Sequence, residues 1–439
     1  MARKRREPET ATIESATHDG RGIAALSGKK VFVAGALPGE SVEFIRRKSR
    51  RNFDEAELLN VIEASPDRIE ARCAAFGRCG GCSLQHVSAD YQRTLKAQTL
   101  KDNLQRIAKV EPAGWLEPMT GPEWGYRRRA RLAVKDVPAK GRVLVGFREK
   151  HAPFITDMHR CEVLAAPLDG LIDALSELIA RLSIRARLPQ IEVAIAENGI
   201  ALVFRVLDPP SDADRELLIE FGAKHGMRIY LQPGGLDSLQ MIEPAGDVDA
   251  LCYTLPEFDI QIDFQPIDFV QVNSDINQRM VQFAVDRLDV RADDRVLDLY
   301  CGIGNFSLPI ARRAGSVLGI EGEASLVARA AENARANNLS NVEFRVADLS
   351  KIDGSEGWIR AGWDRLLLDP ARSGAAEVVA RMPLIDPERI VYVSCHPGTL
   401  ARDAGILVHD HGYKLESAGI IDMFPHTAHV ESIAVFTRK

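Results

Sequence analysis

The chain reads as an α/β and β multidomain protein, with a small N-terminal β module, a central β-rich domain and a C-terminal doubly wound, mostly parallel sheet. Three observations predict this. At 439 residues the chain is too long for one ordinary core. From about Thr12 to Pro66, short β-rich pieces (IESATHDGRGIAAL, KKVFVAGALPGESVEFIRR, EAELLNVIEAS) alternate with glycine turns. From about Phe269, strands alternate with helices through RVLDLY, SVLGIE, VEFRVAD, RLLLDP, IVYVSC and the closing ESIAVFTRK, as a sheet with crossover helices requires.

Taken in order, residues 10–68 form the first module, of a size that often serves as an appended RNA-binding barrel. The cysteine-rich RCAAFGRCGGCSLQH opens the central domain, assigned to 69–92 and 125–265. Between those pieces DYQRTLKAQTLKDNLQRIAKV repeats apolar residues at helix spacing, so 93–124 is expected to be a helical segment packing on the catalytic domain. The central domain continues through YRRRARLAVK, GRVLVGFREK, IEVAIAE, IALVFRVL and RIYLQ, with one helix in LDGLIDALSELIARL. Residues 266–439 remain for the catalytic domain.

Composition narrows the function. The net charge of −6 argues against a nucleic-acid binder, yet ARKRRE, FIRRKSRR and YRRRARLAVK concentrate basic residues in the first third. Local fields outweigh the total, so a polyanion surface is expected there. No apolar run has the length of a membrane span and no signal peptide is visible, so the protein is expected in the cytoplasm, away from membranes. Seven cysteines in a reducing compartment argue against a disulfide framework and leave metal or catalysis to explain their clustering.

The stretch VYVSCHPGTLARD sets Cys395 at the end of an apolar strand, where open α/β sheets bind ligands, which makes it a candidate nucleophile. Glu431 in PHTAHVESIAVF is the accompanying candidate base. In VLDLYCGIGNFS, Gly302 and Gly304 let backbone approach a ligand, but Ser307 stands where a dinucleotide fingerprint has its third glycine. Asp298 before the loop, Glu321 after the next strand and Asp348 after the third suit S-adenosylmethionine better than NAD. Asp369 in RLLLDPARSG falls over the same crevice, whereas Cys301 and Cys252 read as small packing residues.

The succession FVQVNSDIN, DLYCGIGNFS, LLLDPARSG, VYVSCHPGTLARD and DMFPHTAHVES resembles the RNA (uracil-5-)methyltransferase family over nearly the whole chain. The cysteine cluster and the N-terminal module, which is similar to a TRAM (OB-type) domain, point to its ribosomal branch, acting on 23S rRNA. The resemblance implies Cys395 as nucleophile and Glu431 as base, with Gln271, Tyr300, Asn305, Glu321, Asp348 and Asp369 at cofactor and substrate positions. The sequence departs from the family pattern at His396, where Asn is common, and at Asp348, where Asn is frequent.

The chemistry can be reached independently. C5 of uracil attacks a methyl sulfonium only after a thiolate has added to C6, and a carboxylate must then remove the C5 proton. His396, His426 and His429 are rival bases, and the target base must be turned out of the RNA, with Phe269 available to stack on it.

Cys73, Cys79 and Cys82 are spaced C-x5-C-x2-C, and Cys161 in DMHRCEVL is a fourth. Such a set can hold zinc or an iron–sulfur cluster, and the resemblance implies a [4Fe-4S] cluster. The partner is expected to be 23S rRNA, free or in a large-subunit assembly intermediate, bound by a monomer. A tRNA uracil-C5 methyltransferase and a non-catalytic RNA-binding assembly factor are the alternatives.

Overall fold

The computed structural model describes residues 7–17, 19–150, 152–244, 246 and 248–438. The basic run ARKRRE lies outside these except for Glu7. Three sheets organise the chain. The N-terminal sheet comprises β1 (Glu9–Thr12), β2 (Ser15–Ala16), β3 (Arg21–Leu26), β4 (Lys29–Ala34), β5 (Ser41–Ser49) and β6 (Phe53–Glu63). Its order is β1-β5-β6-β4-β3-β2, with β4 and β6 parallel. Alternation along the strands buries Val31, Val33, Val42 and Phe44 in a core of its own.

Helix α1 (Ala89–Asn103) follows, capped by the Ser88 hydroxyl on the Tyr91 N–H. The sequence predicts an apolar face here, but the buried residues of α1 are Gln92, Lys96 and Leu100. The i, i+4, i+8 spacing is as expected, and the chemistry of the face is not. The helix runs into a π-helical turn, Leu104–Ala108, and strand β7 (Gly114–Trp115) then joins the edge of the catalytic sheet.

The central sheet holds β8 (Arg129–Val137), β9 (Arg142–Gly146), β10 (Gln190–Ile195), β11 (Ile200–Arg205), β12 (Arg228–Gln232) and β13 (Gln240–Glu243), in the order β13-β12-β11-β10-β8-β9. Leu202 and Phe204 face helices α2 (Ile172–Arg181) and α3 (Asp212–His225), while Ala201 and Val203 pack toward the catalytic domain. The hairpin of β14 (Leu251–Leu255) and β15 (Ile260–Phe264) buries Leu255, Ile260 and Ile262 in the same core as helix α4 (Ser274–Leu288). The boundary expected at 266 therefore falls after a hairpin that packs with the residues beyond it.

The catalytic sheet has β16 (Arg295–Leu299), β17 (Ser316–Glu321), β18 (Val342–Val346), β19 (Arg365–Leu368), β20 (Arg389–Ser394), β21 (Tyr413–Ile421) and β22 (Glu431–Arg438). Its order is β18-β17-β16-β19-β20-β22-β21-β7, parallel from β18 to β20 and antiparallel where β22 enters. Helices α5 (Ser307–Ala311), α6 (Ala324–Ala336), α7 (Ala376–Ala380), α8 (Met382–Ile385) and α9 (Pro397–His409) complete it. Both faces are covered, so the strands are near-continuously apolar. Leu297, Leu366 and Ile390 face α1 and α9, and Val296, Leu367 and Val391 face α4.

Some residues of the basic runs are engaged within the fold. Arg46 bridges Glu9 and Asp54, Arg47 pairs with Glu57, and Arg129 donates to the Asp268 carbonyl. The expectation of a free polyanion face in YRRRARLAVK is corrected for Arg129, which ties the central sheet to the entry of the catalytic domain.

A buried ion pair joins the first sheet to the cysteine segment. Glu40, with no exposure, accepts from Arg68 and from the Leu37 and Ser65 N–H groups. Burial alone would raise its pKa, but these donors outweigh burial and hold it below the ordinary value. Its contribution is therefore complete above the unfolded carboxylate pKa and is lost as pH falls below it. Arg68→Met, which strands that carboxylate, should cost about 3 kcal/mol in urea unfolding near neutral pH. The deficit should shrink at pH 3.

Candidate active site

The site is set by strand register. Ser394 of β20 is the cross-strand partner of Ser432 of β22, and the Ser432 hydroxyl donates to the Ser394 carbonyl at 3.2 Å. One step further along this antiparallel pair, Cys395 stands opposite Glu431. Directly opposed residues have Cα atoms roughly 4.5–5.5 Å apart, so this register brings the thiol and the carboxylate close together. Asp369 lies immediately beyond β19, the parallel neighbour of β20. Cys395 and Asp369 follow the carboxyl ends of parallel strands, and Glu431, the first residue of the antiparallel β22, is brought to the same edge of the sheet.

This crevice is short of water and rich in acid. Glu431 is buried, and burial, then Asp369, push its pKa well above the ordinary value against the pull of Arg372. Asp369 is raised to about 7 by burial. Burial, then Glu431 and Asp369, lift the Cys395 thiol to about 11, with Arg372 opposing. Arg372 lines the cleft with Cys395 and approaches His429 Nδ1 at 2.8 Å. It was missed from sequence, although it stands three residues after Asp369 in LLLDPARSG.

The rival histidines divide. His396 caps α9, its Nδ1 accepting from the Thr399 N–H at 3.2 Å. His426 is buried and stacked on Trp124 with ring centroids 3.8 Å apart. His429 lines the thiol cleft, its pKa lowered by burial and then by Arg372.

The glycine loop follows β16. Tyr300 has φ +65°, a left-handed conformation uncommon outside glycine, and Gly302 has φ +53°. A Cβ built on Gly302 would meet no protein atom within 4 Å, so the loop leaves open space where a ligand could lie against backbone. Glu321 accepts from the Gly302 N–H at 3.1 Å and the Gly322 N–H at 2.7 Å. Asp298 accepts from the Ser307 hydroxyl at 2.5 Å, which explains why serine suits the third-glycine position. Its second oxygen is buried and unpartnered, and burial raises its pKa to about 7. An orphaned acceptor, a ribose-height carboxylate and an open cradle fit an adenosylmethionine-sized cation. Asn305 is turned toward Tyr253 and Asn277, and Asp348 is exposed and engaged with Lys351 and Ser350. Gln271 lies two residues before the α4 cap Asn273, and Phe269 is 73% exposed beside it. Cys301 packs against Gly319, as expected of a small buried residue.

Cys73, Cys79, Cys82 and Cys161 line one cavity of about 220 Å³. Burial raises the thiol pKa of Cys79, lifts Cys82 to about 11 and Cys161 to about 12. Among the described residues, no three His, Cys, Asp or Glu side chains converge closely enough to hold a single metal ion. Gly80, Gly81, Cys82 and His429 line both this cavity and the thiol cleft, so the cysteine loop forms one wall of the site.

Comparison with known proteins agrees with this geometry. The family model for tRNA (Uracil-5-)-methyltransferase matches residues 252–356 and 359–439. The chain is 52% identical to the 23S rRNA (uracil(1939)-C(5))-methyltransferase RlmD of Methylococcus capsulatus, over 98% of this chain and 97% of that one. It is 48% identical to the RlmD of Stenotrophomonas maltophilia over the full length of both. Among solved structures, the Pyrococcus abyssi tRNA (uracil-54, C5)-methyltransferase in complex with S-adenosyl-L-homocysteine superposes with a TM-score of 0.74, 25% identity and coverage of 98% of this chain and 100% of that chain. With this identity extending from end to end, the chain belongs to the RlmD family of 23S rRNA (uracil-C5)-methyltransferases.

Proposed function

We propose that this protein methylates C5 of a uridine in 23S rRNA, with Cys395 as nucleophile and Glu431 as general base. The observation that carries the proposal is the β20–β22 register, which pairs Ser394 with Ser432 and so brings the residues just beyond them, Cys395 and Glu431, together, with Glu431 raising the thiol pKa. S-adenosylmethionine, held by Glu321 and the Gly302 turn, supplies an electrophilic methyl. Cys395, having lost its proton, would add as thiolate to C6 as the C5–C6 π electrons shift to an enolate, and C5 would then take the methyl as the sulfonium S–CH3 bond breaks and the thioether S-adenosylhomocysteine leaves. Glu431 then removes the C5 proton, the C5–C6 double bond re-forms and the thiolate leaves. Burial and Asp369 raise the pKa of Glu431, which makes its carboxylate a stronger base than an ordinary one, and Arg372 opposes that shift. Gln271, Tyr300, Asn305, Asp348 and Asp369 are assigned to cofactor binding with Glu321. His429, neutral and in the cleft, is the remaining rival base.

The six-stranded N-terminal sheet acts as a TRAM-type RNA-binding module, spanning 10–68, and Phe269 stacks on RNA bases. Cys73, Cys79, Cys82 and Cys161 hold a [4Fe-4S] cluster. The four cysteines share one cavity of about 220 Å³, and four thiolates can ligate such a cluster. Methyl transfer needs no electrons, so the cluster's contribution is structural. No helix among the described residues is long and apolar enough to cross a membrane, and the protein acts as a cytoplasmic monomer on free rRNA or an assembly intermediate.

Separate substitutions should stop the reaction at separate points. Cys395→Ala should bind rRNA yet form no covalent complex, whereas Glu431→Gln should trap a methylated enzyme–RNA adduct that survives denaturing electrophoresis. Normal turnover by Glu431→Gln would move the base to His429.

In the free protein, alkylation of Cys395 by iodoacetamide should rise about tenfold per pH unit through pH 9 without a plateau, because the thiolate is the reactive form. Arg372→Ala, which removes the cation opposing the shift, should slow alkylation severalfold at a fixed pH. A plateau near pH 8 would contradict the crevice electrostatics.

Anaerobically purified protein should be brown and carry about four iron and four sulfide per chain. Cys161→Ser should lose the colour, and a colourless protein with one zinc would exclude the cluster.

A further inference from the structure

The loop from Asp422 to Val430 joins β21 to β22 and delivers Glu431 to the crevice, since Ile421 and Glu431 are partners across its base. Three distant parts of the chain hold it. From the buried face of α1, Lys96 Nζ donates to Asp422 Oδ1 at 2.6 Å and to the Phe424 carbonyl at 2.9 Å. One turn earlier, Gln92 Oε1 accepts from the His426 N–H at 2.8 Å, and Gln92 Nε2 lies 3.3 Å from His426 Nδ1. From the cysteine loop, the Ser83 and Leu84 N–H groups donate to the His426 carbonyl at 2.9 and 3.0 Å, and the Ser83 hydroxyl accepts from the Ala428 N–H at 3.0 Å. From the central domain, the Tyr126 hydroxyl donates to the Pro425 carbonyl at 3.0 Å.

The Lys96 contacts are the costly ones. Its side chain is 2% exposed and that of Asp422 is 4%, so two charges have been taken out of water on a helix face where leucine or methionine would pack more cheaply. What an ammonium supplies and an apolar side chain does not is direction. It fixes two points of the loop, the carboxylate at its first residue and a carbonyl two residues on. Gln92, four residues earlier on the same face, fixes the loop midway, at a residue held in the left-handed conformation with φ +65°.

We propose that Lys96 is a positioning residue for the methyl-transfer site, setting the loop 422–430 so that Glu431 meets the C5 proton and His429 closes the cleft beside Cys395. The proposal rests on the reading of Cys395 and Glu431 given above. It adds that the geometry of the base is controlled from α1, a helix outside the cofactor-binding fold.

The test uses the full-length protein, S-adenosylmethionine with a labelled methyl and a 23S rRNA fragment that the unaltered enzyme methylates. Lys96→Met should keep affinity for RNA and cofactor within a few-fold, lower kcat at least tenfold with little change in KM, and accumulate the methylated enzyme–RNA adduct during turnover. Lys96→Arg, which retains the donor and the charge, should restore much of kcat. A folded Lys96→Met protein with lowered thermal stability but normal kcat and no adduct would overturn the proposal and leave the pair a purely structural one. Should Lys96→Met fail to fold, Gln92→Leu reads the same question from the midpoint of the loop. Adduct with reduced kcat supports the proposal, and unchanged kcat without adduct overturns it. Failure of the unaltered enzyme to methylate any 23S rRNA fragment would instead remove the underlying functional reading.

Discussion

One pairing governs this site: the antiparallel entry of β22 beside the parallel strand β20, in the register that sets Ser394 against Ser432. A parallel neighbour would present another carboxyl end and a crossover loop there. An antiparallel one brings its first residue to the place where β20 ends, so the beginning of one strand meets the end of the other. The strand pairing thus brings Cys395 and Glu431 to one place. A slip of one residue in that register would turn one of the two side chains to the opposite face of the sheet. The apolar alternation of Val391, Val393, Ile433 and Val435, all buried in the core shared with α4, holds the register against such a slip.

The same closeness creates an electrostatic problem. A thiol, Glu431 and Asp369 share a poorly solvated crevice, and Asp298 and Glu321 lie a short way along the sheet. Burial raises Asp369 to about 7, and burial together with repulsion from neighbouring carboxylates pushes the thiol to about 11 and Asp298 to about 7. Arg372 opposes this at both Cys395 and Glu431. A cationic sulfonium entering such a surplus of acid would be attracted by it and would relieve it. The resting site is thus poised to become reactive on loading.

The cysteine cavity belongs to the same architecture. Its loop donates backbone N–H groups to the carbonyl of His426 and shares Cys82 and His429 with the thiol cleft. The first sheet is tied to that segment through the Glu40–Arg68 pair. Residues far apart in the chain therefore converge on one nine-residue loop next to Glu431.

Much of this protein was legible from its sequence. Strand–helix alternation after Phe269, the glycine loop with its ordered acids, Cys395 at a strand end and the spacing of Cys73, Cys79 and Cys82 are local patterns, carried by residues close together in the chain. Their chemistry follows from residue type and spacing. What only the tertiary structure decided depends on pairing between distant segments. Gln92 and Lys96 read as the polar side of a helix, yet they are its buried side, because the loop from Asp422 to Val430 offers them partners that sequence cannot display. Arg129 reads as part of a polyanion-binding run but is spent on the Asp268 carbonyl. Arg372 reads as a turn residue after Asp-Pro until the fold sets it beside Cys395. Periodicity records which residues share a face. Only the folded chain decides what that face meets, because the cost of burying a charge is set by its partner and not by its neighbours in sequence.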